Sequence, residues 1–244
     1  MSLIGNLSHL TSVDLSRNGF SEFIPSSIVD IYYLNFLDLS SNRFSGQIPS
    51  SIGNLSHLTY LDLSYNSFPG QIPSWIGNLS HLTNLDLRSN QILGQIPTWI
   101  GNLSHLTNLD LRSNQISGRI PSSIGNLYNL AYLDLFGNDI VGEIPSSFGN
   151  LNQLTTLDAS LNRLNGSLPI ALLNLTKHFS RVDNLALRNI IRPTATEARW
   201  ESLAAKPMFQ YHPADRVSNP RPLAVVCENP FSTAARPPEV SPSD

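Results

Sequence analysis

The sequence predicts a curved α/β repeat solenoid over residues 1–176, built from about seven coils of 24 residues, and three files of residues predict it. Asn18, Asn42, Asn66, Asn90, Asn114, Asn138 and Asn162 recur at that step, as do Asp14, Asp38, Asp62, Asp86, Asp110, Asp134 and Asp158, four places ahead of each asparagine. Pro25, Pro49, Pro73, Pro97, Pro121, Pro145 and Pro169 keep the same interval. Seven copies in one register do not arise by chance, and a period of this length marks a unit that buries its apolar face only against its neighbours. Residues 71–94 and 95–118 differ only at Ser74/Thr98 and Leu93/Ser117, the mark of a duplication.

Each part of the unit has a physical assignment. The best-formed copy reads Leu58-x-x-Leu61-x-Leu63-x-x-Asn66-x-Phe68-x-Gly70-x-Ile72-Pro73. Leu61-Asp62-Leu63 alternates apolar and polar, the period of a strand with one buried face. Stacked copies pair as a parallel sheet at about 4.8 Å per strand, and their leucines merge into one core. At the end of the strand, the Asn66 amide is placed to donate to and accept from backbone that no strand partner satisfies. Gly70 permits positive φ in the following bend, and Pro73 fixes φ where the chain enters the return limb. Ile72, Ile76, Leu79 and Leu82 bring that limb, a short 3-10 or irregular segment, back onto the core. Strands crowded on one side and slimmer segments on the other curve the stack, so the sheet is expected on the concave face.

The register weakens at both ends. Met1 aligns with Pro49, so the array is expected to be a piece of a longer one. After Leu175, His178 and Arg181 stand where leucines belong, and Val182-x-x-Leu185-x-Leu187 reads as one degenerate coil over 177–192. Residues after 176 hold nine of the 17 prolines and none of the 14 glycines. The stretch 193–244, proline-rich and aperiodic, is therefore expected to be a disordered tail.

Composition limits the function. Charged residues make up 14% and the formal net charge is −3. No dense Lys/Arg patch is present for a phosphate backbone, so nucleic acid is not expected as a partner. The only cysteine, Cys227, precludes an internal disulfide or a Cys-rich zinc site. Apolar runs are only a few residues long, so no membrane contact by this chain is expected. No P-loop, G-x-G-x-x-G, H-E-x-x-H or G-x-S-x-G occurs, and Ser56, His57 and Asp62 recur as part of the unit rather than as a single constellation, so no enzyme and no cofactor are expected.

The pattern L-x-x-L-x-L-x-x-N is that of leucine-rich repeats. Phe44-Ser45-Gly46-Gln47-Ile48-Pro49 and Ile140-Val141-Gly142-Glu143-Ile144-Pro145 carry the further motif L-x-G-x-I-P. With the unit I-P-S-S-I-G-N-L-S-H-L-T-Y-L-D-L-S-Y-N, residues 1–176 resemble the plant-specific class found in ectodomains of receptor-like proteins and receptor-like kinases. That resemblance implies a right-handed leucine-rich repeat solenoid, an extracellular address at the plasma membrane, a peptide or protein ligand, a co-receptor kinase as partner, and a role in defence or developmental signalling. A secreted inhibitor of a pathogen hydrolase and a truncated gene product without function are the alternatives.

The x positions of the strand pattern point away from the core and are expected to form a displayed surface. Phe36, Tyr60 and Tyr132 stand before the second leucine; Arg88, Arg112 and Phe136 lie two places after the aspartate; Tyr65 sits beside Asn66. Together they make an aromatic–basic–aromatic track, and such residues dominate binding hot spots. The aspartate file is expected to be scaffold, with Arg88 and Arg112 as exposed partners of Asp86 and Asp110. His57, His81 and His105, with His9 before them, also keep the period and are expected to fill the turn into the strand. Six glycosylation sequons begin at Asn6, Asn54, Asn78, Asn102, Asn165 and Asn174, five of them at one place on the return limb.

Overall fold

The computed structural model describes residues 8–170. The sequons at Asn6 and Asn174, Cys227, the proposed degenerate coil 177–192 and the proposed tail 193–244 lie outside the described residues. Seven three-residue strands form one parallel sheet: β1 (Ser12–Asp14), β3 (Phe36–Asp38), β5 (Tyr60–Asp62), β7 (Asn84–Asp86), β9 (Asn108–Asp110), β11 (Tyr132–Asp134) and β13 (Thr156–Asp158). Their register is the sequence period itself. Leu61 pairs with Leu37 and Leu85, and each aspartate lies beside the aspartate of the next coil. Three-residue strands suffice because, from β3 onward, the apolar residues before, within and after each one are buried, as Leu58, Leu61 and Leu63 show.

The return limb is a chain of 3-10 turns, among them Ser50–Asn54, Ser74–Asn78 and Thr98–Asn102. Each follows a proline at φ near its ring-fixed value, −68° for Pro73. The isoleucines of this limb close the core, with Ile52, Ile76 and Ile100 fully buried. Between the strand and the 3-10 turn, the side chains nearest the asparagines stack coil on coil. Phe20, Phe44 and Phe68 lie face to face at 6.1 and 6.3 Å, and Ile92 and Ile116 continue the file. The core is thus one apolar column with no layer boundary.

A second set of strands runs beside the first, where the sequence predicts a bend. β2 (Ser21–Glu22) pairs with β4 (Arg43–Phe44). β6 (Pro69–Gly70), β8 (Gln91–Gln95), β10 (Gln115–Gly118), β12 (Asp139–Gly142) and β14 (Arg163–Leu164) form a five-stranded parallel sheet. The glycine of L-x-G-x-I-P, and Pro69 in β6, disguise these strands, because both residue types weaken a strand signal. Gly70 has φ +84°, as expected for the bend, and a Cβ there would meet Gln47 at 3.0 Å.

The asparagines tie the two sheets together. Asn66 Nδ2 donates to Leu63 O and Ser64 O of its own coil and, at 3.0 Å, to Leu39 O of the coil before. Its Oδ1 accepts from Phe44 N of that preceding coil at 3.0 Å. Asn90, Asn114, Asn138 and Asn162 repeat all four bonds. One amide side chain therefore satisfies backbone that both sheets leave open at the corner.

Removing such an amide strands several polar groups in a buried corner. We expect Asn138→Ala, at a position 8% exposed, to cost about 2–4 kcal/mol in urea denaturation. Asn18→Ala, where the amide makes two local bonds among the described residues in an exposed turn, is expected to cost about 1 kcal/mol or less. Equal losses at the two positions would contradict the inter-coil role.

Candidate functional site

The face of the seven-stranded sheet carries the predicted track. Phe36, Tyr60 and Tyr132 are half-buried on β3, β5 and β11, and Arg88, Arg112 and Phe136 are half-buried just beyond β7, β9 and β11. Phe36 and Tyr60 stack, their ring centroids 4.3 Å apart and 14° from parallel. Tyr65 stands 40% exposed, with the Arg88 guanidinium 5.2 Å from its ring centroid. The structure thus joins Phe36 to Tyr60 and Tyr65 to Arg88, while Tyr132 and Phe136 occupy separate columns of the same face.

The exposure of Tyr65 has a backbone cause that the sequence reading missed. The residue before each ladder asparagine adopts left-handed φ: Arg17, Ser41, Tyr65, Ser89, Ser113, Gly137 and Leu161 lie between +50° and +65°. This conformation turns the chain out of the strand and lets the next residue, Asn66, point inward. Gly137 is the only glycine of the seven, and it was the one signal in the sequence for the conformation.

The central aspartates differ from expectation. Asp62, Asp86, Asp110 and Asp134 are not exposed, being 2–6% accessible, whereas Asp14 at the first strand is exposed. Each Oδ1 accepts from the backbone N–H two residues on, as in Arg88 N to Asp86 at 3.0 Å and Arg112 N to Asp110 at 3.1 Å, so the ladder turns the chain at the end of every strand. The scaffold assignment therefore holds, but the ion pairs above it are partly buried. Arg88 bridges Asp86 and Asp110 at 3.4 Å each, and Arg112 bridges Asp110 and Asp134 at 3.6 Å each. The physical reason is crowding. Adjacent strands are about 4.8 Å apart, and the long Arg and Tyr side chains between them lie over the short carboxylates. Tyr60 and Tyr132 add to that cover, donating from their hydroxyls to Asp62 at 3.4 Å and to Asp134 at 2.9 Å.

Burial sets the protonation of this ladder. Desolvation, reinforced by Asp62 and Asp110, pushes Asp86 up to about 8 against the opposing pull of Arg88. Desolvation and Asp134 push Asp110 up to about 6. Asp62 and Asp134 are raised for the same first reason. Burial and the neighbouring carboxylates raise the Tyr60 and Tyr132 hydroxyls, so both stay protonated donors. Burial pulls the Arg88 and Arg112 guanidiniums down, but their aspartates more than offset it, and both arginines stay charged.

Away from the sheet face, the sequon residues Asn54, Asn78, Asn102 and Asn165 are exposed, the first three as the last residues of their 3-10 turns. His57, His81 and His105 are exposed on the turn into the sheet. Among the described residues, no helix is long and apolar enough to cross a membrane.

With this geometry in place, comparison with known proteins is specific. Families described as leucine-rich repeat region and leucine-rich repeat match residues 75–177, 34–92 and 9–31. The chain belongs to the leucine-rich repeat family. The ectodomain of the Arabidopsis receptor kinase HAESA, in complex with an extended IDA peptide hormone ligand, is 42% identical with a TM-score of 0.70, over 75% of this chain and 31% of that one. A further HAESA structure holds the IDA peptide and the co-receptor SERK1, at 36% identity and TM-score 0.54 over 66% of this chain and 31% of that one. The plant peptide hormone receptor RGFR1, in complex with RGF2, is 38% identical with a TM-score of 0.71, over 74% of this chain and 29% of that one. The chain thus spans about a third of these receptor ectodomains. A plant ice-binding protein also shares the fold, at 25% identity and TM-score 0.51, over 74% of this chain and 76% of that one. No curated protein sequence matches the chain significantly.

The raised carboxyls give the leucine-rich repeat array a signed pH dependence. A carboxyl whose folded pKa lies above its unfolded value of 3.8 binds more protons folded than unfolded between the two values, so stability falls as pH rises. For Asp86 and Asp110 the stabilisation is present in acid and is lost as pH climbs from about 4 towards about 8. Asp14, lowered by the hydroxyl and amide of Ser16, acts only below that window. In differential scanning calorimetry we expect a higher Tm at about pH 5 than at about pH 8, and a flatter dependence in Asp86→Asn. A wild-type Tm that does not change between these pH values would remove the argument.

Proposed function

We propose that this chain is the ligand-recognition part of a plant cell-surface receptor-like protein, and that its sheet face takes a peptide or protein ligand. The observation that carries the reading is the concentration of large side chains on one regular face. Phe36, Tyr60, Tyr65, Arg88, Arg112, Tyr132 and Phe136 fall on adjacent strands or their ends, held by a ladder of backbone and asparagine bonds. A rigid platform spends little entropy on binding, and Tyr and Arg supply contact area and hydrogen bonds once water is displaced. The similar HAESA and RGFR1 ectodomains were solved with peptide hormones, which supports a peptide as the ligand class here. The co-receptor in the second HAESA complex supports a kinase co-receptor as a further partner.

An extracellular address and a defence or developmental role follow from the same likeness as parts of this proposal. Glycans on Asn54, Asn78 and Asn102 would sit on the 3-10 limb and leave the sheet face open. The ice-binding protein shows that the fold by itself does not choose a function; the side chains of the site do. In that site the arginines are poor subjects for charge reversal, because each is paired with two buried aspartates. Binding and stability would fall together.

The clean probe is the stacked pair. We expect Tyr60→Ala to weaken binding of the receptor's peptide ligand by about tenfold or more, the loss of a hot-spot aromatic, with circular dichroism unchanged. Surface plasmon resonance on the immobilised chain measures it. Retention of full affinity by both Tyr60→Ala and Tyr132→Ala would sink the assignment of this face.

A further inference from the structure

On the turn leading into the seven-stranded sheet, His57, His81 and His105 hold one place in three successive coils, each exposed. The rings of His81 and His105 lie 5.9 Å apart by centroid, tilted 38°. Nδ1 of His105 is 2.9 Å from Ser80 O. A carbonyl oxygen only accepts, so Nδ1 carries the proton and the neutral ring keeps its lone pair on Nε2. A metal-ligating imidazole is oriented in this way, its second nitrogen donating to a backbone oxygen.

The following coil provides an internal comparison. Asn129 occupies the place of His105 and makes the same bond, Nδ2 to Ser104 O at 2.9 Å. An amide therefore closes this turn as well as an imidazole does. What the imidazole adds is a nitrogen lone pair on an exposed residue, and at His81 and His105 two imidazoles lie side by side, tilted by 38°. An ion about 2.0–2.1 Å from an imidazole nitrogen sits about 3.2 Å from the ring centroid, so one ion reaches two rings up to about 6.4 Å apart. The observed 5.9 Å falls inside that limit. His57 is placed differently, its ring stacked with Tyr33 at 6.1 Å and 26°.

We propose that His81 and His105 form a two-imidazole site for a late first-row divalent cation, Cu²⁺, Ni²⁺ or Zn²⁺. Nitrogen donors select these ions over Ca²⁺ and Mg²⁺, which take oxygen. Among the described residues no group of three or more His, Cys, Asp or Glu is placed to hold an ion. The site is accordingly a two-ligand one, with its other positions open to water or to a donor from a bound partner. It lies on the turn, and it stands or falls separately from the peptide reading.

Isothermal titration calorimetry of the full chain with ZnCl₂ and with CuCl₂ near neutral pH tests it. We expect His81→Ala and His105→Asn each to weaken binding by about tenfold or more, and His57→Ala to change it by less than about threefold. His105→Asn reproduces the Asn129 bond to the preceding coil, so its loss of affinity is not a loss of fold. Broadening of the wild-type His81 and His105 imidazole resonances by substoichiometric Cu²⁺ gives the answer without any substitution. Unchanged titrations in both His81→Ala and His105→Asn, or broadening confined to other histidines, would overturn the site. So would the absence of any wild-type binding up to about 1 mM, far weaker than imidazole chelation supplies.

Discussion

A coil of this solenoid cannot satisfy its own corner, and the rest of the structure follows from how that corner is closed. At the end of each short strand the chain turns sharply and leaves carbonyls and an amide away from water. The ladder asparagine supplies the missing partners, two within its own coil and two in the coil before. Because half of these bonds cross to the neighbour, the coil is not an independent unit, and the register between coils is set by hydrogen bonds as well as by packing. The apolar column of Leu, Ile and Phe then fills the space that this fixed stacking defines.

The same closure shapes the sheet face. The aspartate four places before the asparagine holds the turn from the opposite side, bonding the backbone two residues on. Fixed there and crowded by neighbours, it is drawn under the longer side chains. Charge then becomes a structural issue on the face proposed for ligand contact. Arg88 and Arg112 are shared among Asp86, Asp110 and Asp134, so the middle of the face is a nearly balanced ionic layer roofing buried carboxyls, flanked by aromatic rings. On the proposed reading, a ligand would meet the outer edges of the guanidiniums and the ring faces, and not the acids beneath. Recognition by side-chain shape and hydrogen bonding suits such a layer better than bulk charge attraction does.

Much of the fold was legible because repetition turns weak local signals into a strong one. One Leu-x-Leu triplet is ambiguous; seven in register define a parallel sheet and, with them, the buried file Leu61, Leu85, Leu109. The asparagine's double role was readable from its chemistry and its place. The second sheet was not, since Pro69 and Gly70 in its strand read as a bend and a parallel strand pair forms only once neighbouring coils are stacked. The members of the candidate site were also legible, as large side chains at outward positions. Their arrangement was not. That Tyr65 adopts left-handed φ and meets Arg88, and that the carboxyls lie beneath their partners, depends on spacing between strands that no single strand contains.

The order of residues alone determined the period, the identity of every core and ladder position, and which side chains are presented on the sheet face, because each of these follows from alternation and spacing along the chain. Only the tertiary structure decided which residues touch between coils: Phe36 against Tyr60, Arg88 against Asp110, His81 beside His105. Those partners are 22 to 24 places apart in sequence, and the distance between them is fixed by backbone pairing across coils and by how deeply each side chain is buried, neither of which exists until the coils stack.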